Sequence, residues 1–178
     1  EAGTGPENTV NGSGLDSSDL HSTEPTHMWL GEAGEEPAWI QFEFDRSYKL
    51  YEMWLWNYNV MFEKLLGLGI KDVTVEYSTN GADWTTLADV QFNQATAKAG
   101  YAHNTTVDMD GAIAQFVRLK INSGYSDKGQ YGLSEVRFLY KPVKARAPQP
   151  ADSTAGVNPD ATLGWRAVTP VFDGATDE

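Results

Sequence analysis

Two short stretches of this chain mix aromatic rings with planar polar side chains: Trp56-Asn57-Tyr58-Asn59, and Tyr125-Ser126-Asp127-Lys128-Gly129-Gln130-Tyr131. That mixture suits a polyhydroxylated ligand. A Tyr or Trp face stacks on the apolar C–H face of a pyranose, and Asn, Asp, Gln and His offer flat donor and acceptor groups to its hydroxyls. Each of these residues also has an ordinary reading. Tyr58 and Tyr125 suit packing as well as stacking, and Asn57 and Asn59 suit capping of their own loop backbone. Trp29, Trp39, Trp54 and Trp84 fall in strand or hairpin motifs and read as core or edge packing.

Other chemistry has less to stand on. The three histidines, His21, His27 and His103, belong to no H-E-x-x-H pattern, and neither G-x-S-x-G nor a phosphate-cradling glycine loop occurs. The pair Glu35-Glu36 lies in a polar loop and reads as solvated. With no cysteine, thiol catalysis, disulfides and thiolate zinc sites drop out. These features predict a non-catalytic chain. A net charge of −12 repels phosphate backbones and anionic membrane surfaces, so neither nucleic acid nor membrane is expected as a partner. No apolar run reaches the roughly eighteen residues of a membrane span. The first residues, Glu1 to Pro6, lack the basic and apolar regions of a signal peptide and read as a processing boundary.

The elements that must position these residues are strands. Trp39 to Asp45 alternates Ile40, Phe42 and Phe44 with Gln41, Glu43 and Asp45, and so has one buried face. Tyr48–Asn57 is apolar at nearly every position after Lys49, as a doubly covered strand requires. Ile70–Ser78 alternates again, and Asn80-Gly81 supplies the positive φ angles of a type I′ hairpin turn. Further strands are predicted at Asn104–Asp108, Phe116–Asn122 and Leu133–Tyr140, with a helical turn or two around Phe62–Leu66. Short alternating strands without intervening helices predict an all-β antiparallel sandwich. After Tyr140 the chain turns Pro- and Ala-rich, with Pro142, Pro148, Pro150 and Pro159, which predicts a semi-extended linker. Beyond it, Ala161 to Trp165 resembles the opening strand of an immunoglobulin-like domain. The expected division is therefore a folded module at 1–141 and an extension at 142–178.

Four motifs, in order, carry a resemblance. They are Trp39-Ile40-Gln41-Phe42-Glu43-Phe44, Tyr77-Ser78-Thr79-Asn80-Gly81-Ala82-Asp83-Trp84, Phe116-Val117-Arg118-Leu119 and Gly132-Leu133-Ser134-Glu135-Val136. Together they resemble the discoidin, or coagulation factor 5/8 type C, domains, and within these the family 32 carbohydrate-binding modules of bacterial extracellular enzymes. The resemblance implies an eight-stranded galactose-binding-domain-like jelly roll and a shallow sugar site built from loops. In this chain that site would comprise His27, Asn57, Tyr58, Asn59, Tyr125, Asp127, Gln130 and Tyr131. It also implies a structural Ca2+ held by an N-terminal loop and a late glutamate, here Asn11, Ser13 and Glu135, with Asn11 standing where the family usually has Asp. The implied protein is a monomeric module of a secreted or cell-surface bacterial polypeptide. Its partners would be a polysaccharide or glycan and the neighbouring domains of the same chain.

One stretch departs from the look-alikes. Where they commonly carry Arg-Gly, this chain has Leu68-Gly69, preceded by the unusually apolar Val60–Leu68. Such a loop packs inward, binds an apolar ligand or contacts a partner. It keeps a second reading open, that of a protein-contacting adhesion or spacer domain.

Overall fold

The computed structural model describes residues 3–31, 38–141, 145–151, 155–162 and 164–167. They form two units, 1–140 and 141–178. The first is all-β apart from one short helix, α1 (Glu63–Leu66), and two 3-10 turns, Pro6–Thr9 and Pro25–His27. Its strands are β1 (Trp29–Leu30), β2 (Ala38–Asn57), β3 (Ile70–Ser78), β4 (Thr85–Gln91), β5 (Thr105–Asp108), β6 (Ile113–Gly124) and β7 (Gly132–Tyr140). In the second unit, β8 (Ala145–Gln149) pairs antiparallel with β9 (Gly164–Ala167). The stretch expected to be a linker thus contains a paired strand, and β9 overlaps the last two residues of the Ala161–Trp165 stretch.

The organising element is β2. The sequence reads as two strands here, Trp39 to Asp45 and Tyr48–Asn57, but the backbone runs as one 20-residue strand shared by both sheets. Its first half pairs with β6, which continues to β3 and β4. Its second half lies between β7 and β5, with β1 beyond β7. All these pairings are antiparallel, and the two halves of β2 join the sheets of a β-sandwich. Counting β2 once gives seven described strands in this unit where eight were expected. Crossing between sheets requires a change of inward face. Ile40 and Phe42 point into the core in the first half, whereas Met53 and Leu55 do so in the second. A bulge supplies the odd residue: Leu50 pairs with Tyr140, yet Glu52 pairs with Leu139.

The core lies between the sheets. Val73, Val75, Val117, Leu119, Ile121, Leu133 and Val136 join the β2 residues there, each nearly sealed from water. Burying a side chain of this size contributes about 1.5–3 kcal/mol, so the alternation read from sequence also accounts for most of the fold's driving force. The β3–β4 hairpin forms with a longer connection than a two-residue turn. Only Gly81 takes positive φ, at 73°. Asn80 instead accepts bonds from the Ala82 and Asp83 amides through Oδ1, and Ser78 Oγ accepts from Gly81 N.

Candidate functional site

Loops from four parts of the chain meet at one end of the sandwich: Ser22–Met28, Asn57–Gly69, 93–104 and 124–132. Asparagine holds them together. Asn57 is fully buried, and its Nδ2 donates to Ile70 O at 2.7 Å and Asn93 O at 2.9 Å. Its Oδ1 accepts from Tyr58 N at 2.9 Å and Ile70 N at 3.1 Å. Asn59, equally buried, donates to Ser22 O and Lys98 O and accepts from Ala97 N. Asn57 is thus engaged by main chain, and Asn59 by main chain and the Thr96 hydroxyl, which is the loop-capping role open to both residues.

The aromatic residues expected in the site divide in the same way. Tyr58 is buried with Met28, Val60 and Leu68. It packs so closely on Gly132 that a Cβ there would fall 2.5 Å from its ring. Tyr131 belongs to the main core. Tyr125 is half-buried, and its hydroxyl donates to Phe92 O at 2.6 Å, while burial raises its pKa above the ordinary phenol value. Three of the expected polar residues do reach the surface region. Asp127 is exposed, and His27 and Gln130 are half-buried, with His27 Nδ1 3.2 Å from the Ser22 hydroxyl.

Beside the 124–132 loop, the Val60–Leu68 stretch singled out by its apolar character forms a knob. Met61, Phe62 and Leu65 are 61%, 68% and 84% exposed. Their neighbours Val60, Leu66 and Leu68 anchor the loop from below. Phe62 takes the left-handed conformation, φ 70°, ψ 11°, at the start of α1. An L-residue there costs roughly 1–2 kcal/mol, and strain of this kind gathers at functional sites. Beneath it, the fully buried carboxylate of Glu63 accepts from Leu68 N at 3.1 Å and Gly69 N at 2.8 Å. Burial raises the Glu63 pKa and these amide bonds oppose the rise. Lys128 Nζ donates to Leu66 O at 3.0 Å and Gly132 N to Leu68 O at 2.8 Å, tying the 124–132 loop to the knob. The apolar character of Val60–Leu68 was the available signal; what sequence could not reveal was which of its side chains point outward.

The expected metal residues also come together, though not as an obvious cage. Glu135 is 2% exposed and its Oε2 accepts from Gly12 N at 3.2 Å, placing the Asn11-Gly12-Ser13 loop against β7. Desolvation pushes its pKa up to about 7. A carboxylate removed from water in this way fits the oxygen-donor chemistry of Ca2+, since a cation offsets the cost of its charge. Asn11 Oδ1 accepts from Ser13 N at 2.8 Å, so the loop fits that role through its main chain more than through its side chains. Among the described residues no three His, Cys, Asp or Glu side chains cluster as a metal site.

A family model for the F5/8 type C domain matches residues 1–136. The chain belongs to that family. No curated protein matches it. Among solved structures it is similar to an F5/8 type C domain from Bacteroides fragilis, at 13% identity and TM-score 0.54 over 79% of this chain and 83% of that one. It is similar also to the second family 32 carbohydrate-binding module of a family 31 glycoside hydrolase, whose structure holds GalNAc. That match has 15% identity and TM-score 0.53 over 79% of this chain and 91% of the other. A family 89 glycoside hydrolase from Clostridium perfringens matches at 13% identity and TM-score 0.55 over 79% of this chain. Only 13% of the hydrolase is covered, so this F5/8 type C domain spans a small part of that enzyme's length. At these identities the structural likeness shows the galactose-binding-domain-like fold.

Proposed function

We propose that this F5/8 type C domain is a non-catalytic carbohydrate-binding module that tethers a larger extracellular bacterial polypeptide to a glycan. The observation that carries the reading is Phe62, a strained and exposed aromatic at the loop end of the sandwich. His27, Asp127 and Gln130 are the polar groups carried by the neighbouring loops. Phe62 offers the stacking face that Tyr58, being buried, does not, and the three polar side chains offer donors and acceptors for hydroxyls. The solved relative with bound GalNAc supports a hexose or N-acetylhexosamine as the ligand class. An open site of this kind buries little of its ligand, so single-site affinity is modest, and linkage to other domains raises it through avidity. Structural Ca2+ at Glu135 and the Asn11–Ser13 loop belongs to the same reading; there it would neutralise the buried carboxylate and fix the N-terminal loop on β7.

A second reading rests on the same knob. Met61, Phe62 and Leu65 together form an apolar surface that suits a protein partner as well as a sugar. A glycan screen of the full chain, followed by calorimetric titration with GalNAc, separates the two. Binding that Phe62→Ala abolishes at unchanged melting temperature supports the module. A folded chain that is silent across the screen overturns it in favour of a protein-contacting spacer.

A further inference from the structure

The five consecutive residues Ile40 to Phe44 all line one trench of about 500 Å3. Successive strand side chains point to opposite faces, so a cavity on one face of β2 would meet only alternate residues. Contact with all five means that the trench runs along the strand's edge. That edge is open. This half of β2 pairs with β6 on one side, and on the other no main-chain partner of Trp39 to Phe44 occurs among the described residues. Val136 and Phe138 of β7 supply apolar lining, and the far wall is the N-terminal turn, through Pro6, Glu7, Thr9 and Val10. Trp39, 56% exposed, lies at the start of the edge.

An open strand edge presents N–H and C=O groups outward at every second residue, about 7 Å apart. Another extended backbone matches that repeat, and the trench beside it takes the alternate side chains. The charged residues in the lining are Glu7 and Glu43, both exposed, with no Lys, Arg or His among the lining residues. In a chain of net charge −12, pairing of two copies through this edge would bring like charges together. We propose that the β2 edge docks an extended peptide segment of a partner protein, apolar at alternate positions and basic between them. The trench lining shares no residue with the Phe62 knob, and it would serve a different ligand.

The test uses the full chain and a fluorescein-labelled peptide of about eight residues alternating lysine and valine. Its control carries proline at every second position, which keeps charge but cannot form the main-chain ladder. Expected results are saturable anisotropy with amide shifts confined to Trp39–Phe44, the Pro6–Val10 turn and Phe138. The proline control should bind at least about tenfold more weakly. Glu7→Lys combined with Glu43→Lys, both at exposed positions, should weaken the lysine–valine peptide about tenfold and strengthen a glutamate–valine one. Phe62→Ala should leave peptide binding unchanged, whatever it does to glycan binding. Equal binding of the proline control, shifts located elsewhere, or no binding at millimolar peptide would overturn the proposal. Concentration-dependent dimerisation of the chain through the same amides would overturn it too, assigning the edge to a second copy.

Discussion

Replacing Asn57 by alanine separates a structural asparagine from a ligand-binding one. The side chain satisfies two carbonyls, of Ile70 and Asn93, and two amides, of Tyr58 and Ile70. All four bonds lie at a residue with no solvent exposure. Losing a partner costs a buried polar group about 1–3 kcal/mol. The low end applies because water can enter the vacated space and meet some of these groups. Four groups at about 1 kcal/mol each give a loss of about 4 kcal/mol. That is a large share of the 5–15 kcal/mol typical of a folded domain. For a chain of this size it lowers the melting temperature by about 8–16 °C. Differential scanning calorimetry and urea unfolding measure the loss, with Asp127→Ala as an exposed comparison expected to stay within about 0.5 kcal/mol of the parent. If Asn57→Ala instead kept its stability within about 1 kcal/mol and lost glycan binding, the amide would be a ligand contact and the reasoning here would fail.

Three further outcomes follow from the same geometry. Phe62→Gly should raise stability by about 1 kcal/mol, because glycine removes the left-handed strain and the exposed ring contributes little burial, yet glycan binding should vanish; a fall in melting temperature would show that the ring packs. Calcium should raise the melting temperature through preferential binding to the folded state, and Glu135→Gln should remove that increment while leaving the EDTA-treated protein nearly unchanged; equal increments in both would move the ion elsewhere. His21 is buried, with Nδ1 3.0 Å from Ser22 O and no hydrogen-bond partner at Nε2 among the described residues, and burial lowers its pKa. Its neutral form is favoured on folding, so its contribution is present above the unfolded pKa of about 6.5 and is lost as pH falls below it. Relative to His21→Gln, the parent should therefore lose stability between neutral and mildly acidic pH; a parallel course for the two proteins would refute this.

The framework was legible because its signal is periodic. Ile40, Phe42, Val117, Leu119 and Ile121 each occupy the phase of a strand with one buried face, and each is buried. Periodicity cannot show that β2 is continuous: the polar Asp45-Arg46-Ser47 separates the two alternating stretches, yet it lies within a single strand, at a shift in the register with β6. The site was harder to read. Asn, Tyr and Gln have the same donors and acceptors whether they meet a sugar or their own backbone, and the difference lies in which main-chain groups the fold leaves short of partners. Asn57 and Asn59 stand where loops converge without a ladder between them, so the backbone takes up their amides. The Val60–Leu68 stretch stood out by its apolar character, but an apolar side chain such as Phe62 suits inward packing and outward contact equally.

These misreadings share a cause in the way the sandwich is built. One strand serving both sheets leaves β2 as an edge in its first half and as an interior strand in its second. Loops gathered at the interior end are fastened to one another by side chains, which engages Asn57 and Asn59 there and leaves Met61, Phe62 and Leu65 facing outward. Glu63 illustrates the coupling. Its carboxylate holds the Leu68 and Gly69 amides from within α1, the helix that Phe62 immediately precedes. Glycan affinity at the knob should thus depend on a buried carboxylate that no ligand touches.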